Sequence, residues 1–250
     1  MRGYFITVAL LLPLLLSAQE LEVQLGVAQL QLRDQQLSPT RLSGWNGTLG
    51  LAYAKTTERR YRRFQILYTE SWLQSHISDT YARRSNSTFL YFGQFSQHEL
   101  WRLPLSGKLR VYAGALGQFM VNYRQHHYIG QLDEDQFEGV VGFGAAAAVD
   151  WAVSERSKLS GVVGWSMLNY VMSKGHSPRY FDRQLLAEWD NLRGPAGFLD
   201  LQAALRWERT LGQRTRLSLS YQSRYYRHQR MEMLSHQFLL GVTLKIGTHE

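Results

Sequence analysis

The sequence predicts an all-β fold: a transmembrane antiparallel up-and-down β-barrel of about ten strands. Three observations point there. Apolar and polar residues alternate with a period of two over segment after segment, as side chains on opposite faces of a strand do. Beyond the N-terminal segment, no run is apolar enough and long enough to cross a bilayer as a helix, which takes roughly 20 residues. The connections between the alternating segments are short and long by turns.

The first segment stands apart. Arg2 precedes an apolar stretch from Phe5 to Leu16, and Ser17-Ala18 ends it with small residues. This pattern is expected for a cleaved secretory signal over residues 1–18, leaving residues 19–250 as the barrel. The chain has no cysteine. Disulfides, thiolate catalysis and cysteine-ligated metals are therefore excluded.

The strands follow in order. Leu21, Val23, Leu25 and Val27 alternate with Glu22, Gln24 and Gly26. Trp45, Leu49, Leu51 and Tyr53 share a face, and Phe64, Ile66, Tyr68 and Trp72 share another, interrupted by Glu70. Phe89, Tyr91 and Phe95 oppose Gln94 and Ser96, and Leu109, Val111, Phe119 and Val121 oppose Arg110, Gln118 and Asn122. Val141, Phe143, Val149 and Trp151 oppose Glu138 and Asp150, and Leu159, Val163, Trp165 and Met167 oppose Ser160 and Ser166. The last three are the most regular. Leu199 to Trp207, Leu217 to Tyr225 and Phe238 to Ile246 each keep an apolar odd or even set against Asp200, Arg206, Glu208, Arg216, Arg224 and Gln237.

Short turns are expected near Thr57-Glu58-Arg59, Pro104-Leu105-Ser106, Ser154-Glu155-Arg156 and Leu211-Gly212-Gln213. Long connections are expected near Gln35 to Thr40, Leu73 to Ser87, Arg124 to Gln136 and Met172 to Gly197. Which face is outside follows from volume. Strands that each carry several Leu, Phe, Trp or Val residues would overfill a barrel of about ten strands, so the apolar face points to lipid. Aromatics near strand ends, among them Trp45, Trp72, Trp101, Trp151 and Trp207, form the belts found at headgroup level.

With these strands in hand, and the closing segment from Phe238 to Gly247 above all, the chain resembles the small outer-membrane β-barrel proteins of Gram-negative bacteria. The resemblance spans nearly all of the mature chain and implies outer-membrane localisation. It also implies two partners: the lipid around the barrel and the barrel-assembly machinery. Many such barrels end on an aromatic residue, whereas this chain ends Gly247-Thr248-His249-Glu250.

The inward charges are the first place to look for function: Glu22, Arg63, Arg110, Asp150, Asp200, Arg206, Glu208, Arg216 and Arg224, with Glu138 beside them. Both signs occur on neighbouring strands, so a polar network pairing across a narrow lumen is expected. Aqueous channels belong to barrels of roughly 16 strands or more. Tyr180, Phe181, Leu185, Trp189 and Leu192 recur at three- and four-residue spacing, which predicts an amphipathic helix lying over the barrel mouth. Arg83, Arg84, Arg124, Arg179, Arg183, Arg193, Arg227 and Arg230 surround that mouth as candidates for lipopolysaccharide phosphates. None of the eight histidines has metal-ligand spacing, so no cofactor is expected. The net charge of +8 does not argue for nucleic acid in an exported protein.

The leading expectation is a non-enzymatic barrel with a structural, surface-interaction or small-ligand role. Two alternatives stand beside it: a narrow channel and a hydrolase. The hydrolase would be an omptin-like protease using Asp133, Asp135, His126 and His176, or a lipid acyl hydrolase using Ser with His, although Ser75-His76 and His176-Ser177 fall in expected loops and Ser235 and His236 point to opposite faces.

Overall fold

The computed structural model describes residues 20–34, 41–79, 84–105, 109–127, 134–174, 192–228 and 231–246. Ten long strands follow one another in the chain: β1 (Glu20–Asp34), β2 (Arg41–Thr56), β3 (Arg60–Asp79), β4 (Arg84–Arg102), β5 (Leu109–His127), β6 (Glu134–Ala152), β7 (Ser157–Lys174), β8 (Phe198–Thr210), β9 (Thr215–His228) and β10 (Met231–Lys245). Each pairs antiparallel with its neighbours in sequence, and β1 pairs with β10, so the sheet closes. A two-residue strand, Leu192–Arg193, lies against Asn169 and Tyr170 of β7.

Register fixes the tilt. From Leu25 the ladder runs one way through Leu49, Tyr68 and Gly93 to Val121. It runs the other way through Leu240, Leu219, Trp207, Leu159 and Trp151 to Leu109. The two routes reach β5 at positions 121 and 109, a stagger of twelve residues around ten strands. Such a shear inclines the strands by about 40° to the axis.

Alternation sets the faces as expected. Leu25, Leu49, Phe143, Val163, Leu205, Leu219 and Leu240 point outward and are exposed, while Glu22, Gln24, Ser218 and Gln237 point inward and are buried. Trp45, Trp72, Trp101 and Trp151 are exposed on the outer wall. Tyr53 is covered, stacked on Phe64 with ring centroids 5.0 Å apart. One bulge changes the parity. Gly144 pairs with Ser166 and Phe143 with Leu168, so Met167 is the extra residue. Beyond it Leu168 faces out and Asn169 faces in, which Leu-Asn-Tyr-Val gave no reason to expect.

Two sequence expectations need correction. The strands run further than their alternating cores suggested. β3 has 20 residues, about 65 Å at the usual rise. A tilted strand of that length exceeds a hydrocarbon core about 30 Å thick. Segments read as long loops, around Leu73 and Arg124, are therefore strand. Arg124 is buried in the barrel rather than on its rim.

The second correction concerns which face is apolar. Toward the loop end the pattern inverts. On β1, Val23, Leu25 and Val27 are exposed, whereas Leu30 and Leu32 are fully buried, pointing inward. Leu42, Leu73, Leu90, Phe92, Met120, Val140, Val171, Phe198, Tyr226, Met231 and Met233 join them in one apolar cluster inside the barrel. The outside of the lower part is apolar, and its inside holds the charged groups beside a second apolar cluster of Tyr61, Leu100, Tyr112, Leu116, Ala146 and Ala148; in the upper part the larger apolar cluster fills the inside.

Candidate functional site

The inward side of β9 passes through every layer of the lumen. From the turn end it reads Arg216, Ser218, Ser220, Gln222, Arg224, Tyr226 and His228.

At the turn end lies a charge cluster centred on Glu22. Its carboxylate is 2.9 Å from Arg63 and 2.9 Å from Arg206, and it accepts a hydrogen bond from Ser218 Oγ at 2.5 Å. Arg206 is also 2.8 Å from Glu208, and Arg216 is 2.8 Å from Glu20. Asp150 pairs with Lys158 at 2.8 Å. Lys158 was not among the residues expected. Arg110 stands opposite Asp150 in the ladder but is exposed. It lies at the edge of a recess of about 750 Å³ at this end, with Glu20, Asp150, Lys158 and Glu208.

Above this cluster is a cavity of about 60 Å³ lined by His98, Gln202, Ser220, Ser235 and Arg224 among others. Both ring nitrogens of His98, the hydroxyls of Ser220 and Ser235, and Gln202 Nε2 have no hydrogen-bond partner among the described residues. Buried polar groups are paired with protein or with ordered water. A cavity of this size has room for about four waters at 10–15 Å³ each.

The next layer is built on Asp200. Arg224 grips it with both arms, Nε to Oδ1 at 2.8 Å and Nη2 to Oδ2 at 2.6 Å. Gln118 donates to the same Oδ2 and accepts from Arg224 Nη2 at 3.1 Å. Arg224 Nη1 reaches Gln94 at 2.9 Å. Arg224 and Asp200 are 6% and 1% exposed, so this fork-to-fork pair is isolated from solvent and its ionised atoms are saturated.

A third station sits among the apolar residues. Glu138 accepts from Tyr226 Oη, and His228 Nδ1 is 2.7 Å from its other oxygen. Phe198 covers this group, with its ring centroid 5.2 Å from that of Tyr226 and 5.6 Å from that of His228. Arg124 donates to Met231 Sδ, and Thr88 Oγ1 is 2.7 Å from His126 Nδ1.

Of the inward charges expected, Glu22, Arg63, Arg206, Glu208 and Arg216 are brought together, while Asp200 and Arg224 form a separate layer. Tyr180, Phe181, Leu185 and Trp189 lie outside the described residues. Leu192 does not sit on a helix: it is extended, paired with Tyr170, and exposed. A backbone spent on a ladder cannot also supply a helical turn. Of the omptin-like candidates, Asp133 and His176 lie outside the described residues, and Asp135 and His126 do not meet. Asp135 is opposite the outward Gln125, whereas His126 is fully buried inside.

No protein-family model matches this sequence, and no curated protein does. Among solved structures, the outer-membrane protease OmpT of Escherichia coli superposes with a TM-score of 0.55 over 92% of this chain and 98% of its own, at 8% identity. The chain has the fold of an outer-membrane β-barrel. The translocator domain of the autotransporter NalP of Neisseria meningitidis covers 98% of this chain and 96% of its own with a TM-score of 0.41 at 11% identity. Neisserial surface protein A covers 90% and 97% with a TM-score of 0.35 at 14% identity. Likenesses at identities this low speak to the fold alone. The shared barrel supplies a scaffold, and the function must be argued from this chain's own side chains.

Proposed function

We propose that this is an outer-membrane protein with a closed, non-conducting barrel, whose work is done on its outer wall and rim rather than through its lumen. One observation carries the reading: thirteen buried apolar residues form a single cluster inside the loop-end half of the barrel. A packed apolar interior excludes water and ions, as the filled cores of small barrels do. The Asp200–Arg224 layer and the Glu22 cluster add two further constrictions below it.

In this reading lipid surrounds the band from Leu21 to Val27 and its counterparts on the other strands. Lipopolysaccharide phosphates meet basic groups of the loop end such as Arg227, and the barrel-assembly machinery inserts the chain. The omptin-like assignment is not adopted, because Asp135 and His126 stand on opposite faces of the wall.

Planar-bilayer recording tests the closed lumen. The folded protein is expected to give flat current traces at all voltages that the bilayer withstands. Discrete conductance steps from monodisperse protein would show an open path and contradict the reading.

A further inference from the structure

The outward-facing ladder between β9 and β10 runs Leu219 with Leu240, Tyr221 with Phe238, Ser223 with His236, Tyr225 with Leu234, and Arg227 with Glu232. Leu219, Leu240 and Phe238 are exposed to the surroundings of the barrel, and Arg227 with Glu232 marks where this wall turns charged. Ser223 and His236 therefore form a polar pair at the upper edge of the apolar band, one step beyond Tyr221 and Phe238 and beside Gln29 of β1. A hydroxyl and an imidazole facing hydrocarbon lose their bonds to water, which is costly.

Residues directly opposed on antiparallel strands hold their Cβ atoms about 4.5–5.5 Å apart. That separation is short enough for a Ser223 rotamer to turn its hydroxyl toward the His236 ring. The ring is already oriented: His236 Nδ1 is 2.7 Å from Tyr221 Oη, and the two rings stack at 5.9 Å with 12° between planes. In the tautomer that donates Nδ1–H to the phenol oxygen, Nε2 keeps its lone pair, the form that a general base needs. On the other side of Ser223 a groove of about 540 Å³ crosses β6 to β9. Ala145, Ala147 and Ala203 leave it open, Trp165, Leu201 and Tyr225 bound it, and Ser223 stands at its lip. An apolar groove at this depth of the wall fits one hydrocarbon chain.

We infer that Ser223, His236 and Tyr221 form an ester-cleaving site on the lipid face, acting on an acyl ester of an outer-leaflet lipid whose chain lies in the groove. The inference rests on the membrane placement proposed above and is independent of the closed lumen. Ser223 Oγ attacks the ester carbonyl carbon while its proton passes to His236 Nε2. The tetrahedral adduct collapses, the C–O bond to the lipid breaks, and the lipid alcohol leaves with that proton. Water from the membrane surface then attacks the acyl-serine, giving a proton to His236. Ser223 recovers that proton as the fatty acid departs. Tyr221 is a positioning residue that holds the imidazole.

The full-length protein, folded into vesicles, decides the matter. One set of vesicles contains dioleoylphosphatidylcholine and the other purified lipid A, and fatty acid release is followed by mass spectrometry. Release from either is expected, and the set that reacts identifies the source of the ester. Ser223→Ala and His236→Ala are expected to lower the rate about a thousandfold or more, with heat-dependent gel mobility showing that both still fold. Tyr221→Phe is expected to lower kcat and shift the pH profile with little change in KM. Ser235→Ala, which alters the inward-facing neighbour of His236, is expected to leave the rate unchanged. No release from either lipid by correctly folded protein, or release that Ser223→Ala leaves intact, overturns the proposal. Recovery of the protein in the soluble fraction would instead overturn the membrane placement beneath it.

Discussion

Arg224→Met is expected to lower the free energy of unfolding by about 3–5 kcal/mol, read by urea titration of the protein in vesicles. The substitution leaves the Asp200 carboxylate, 1% exposed, without its bidentate partner. Gln118 remains as a donor but brings no charge. The loss is the cost of a buried charge made lonely rather than the worth of the pair. The double variant Arg224→Met with Asp200→Leu is therefore expected to recover most of the stability, because two apolar side chains can replace a buried ion pair at little net cost. A double variant as unstable as the single one would mean that the pair stabilises in its own right. The Glu22 cluster behaves differently, because Glu22 has two arginines and Arg216 and Arg206 each touch a second carboxylate. Removing Arg63, Arg206 or Glu208 there leaves every remaining charge of the cluster with a partner.

Phe92→Ala is the second large effect, also about 3–5 kcal/mol. Phe92 is 1% exposed in the loop-end cluster, where the removed ring leaves a cavity that the surrounding strands, held by their ladders, cannot close. Leu25→Ala on the outer wall is the comparison. Leu25 is 57% exposed, so mobile lipid fills the space, and a clearly smaller loss is expected. Equal losses at the two positions would contradict the assignment of Phe92 to a packed interior.

The membrane band was the legible part of this sequence, because a period of two over Leu217 to Tyr225 or Phe238 to Ile246 has a single structural meaning. The inward direction of Glu22, Asp200 and Arg224 followed from the same rule. Their partners did not. Gln118 and Gln94 are remote in sequence from Arg224, and only barrel closure with its stagger of twelve residues brings them together.

The loop-end core was visible and easily misread. In β1 the apolar residues move from odd positions, Val23, Leu25 and Val27, to even ones, Leu30 and Leu32. A change of parity reads as the end of a strand when it is in fact a change of surroundings, from lipid to water. The Met167 bulge hid a second change of the same kind. The pair Ser223–His236 was hidden for another reason. The sequence neighbours Ser235 and His236 point to opposite faces, whereas the true neighbour of His236 is thirteen residues earlier across a turn.

The central claim is a barrel whose interior above the membrane band is packed and closed, its apolar cluster enclosing the Glu138–Tyr226–His228 group. A chain without cysteine allows that claim to be tested at two adjacent residues. Gln31→Cys and Leu32→Cys are compared for reaction with a membrane-impermeant maleimide on intact cells. Gln31→Cys is expected to react and Leu32→Cys to stay unlabelled until the protein is unfolded. Rapid labelling of Leu32→Cys in the folded protein would contradict the account, because the loop-end interior would then be open to water.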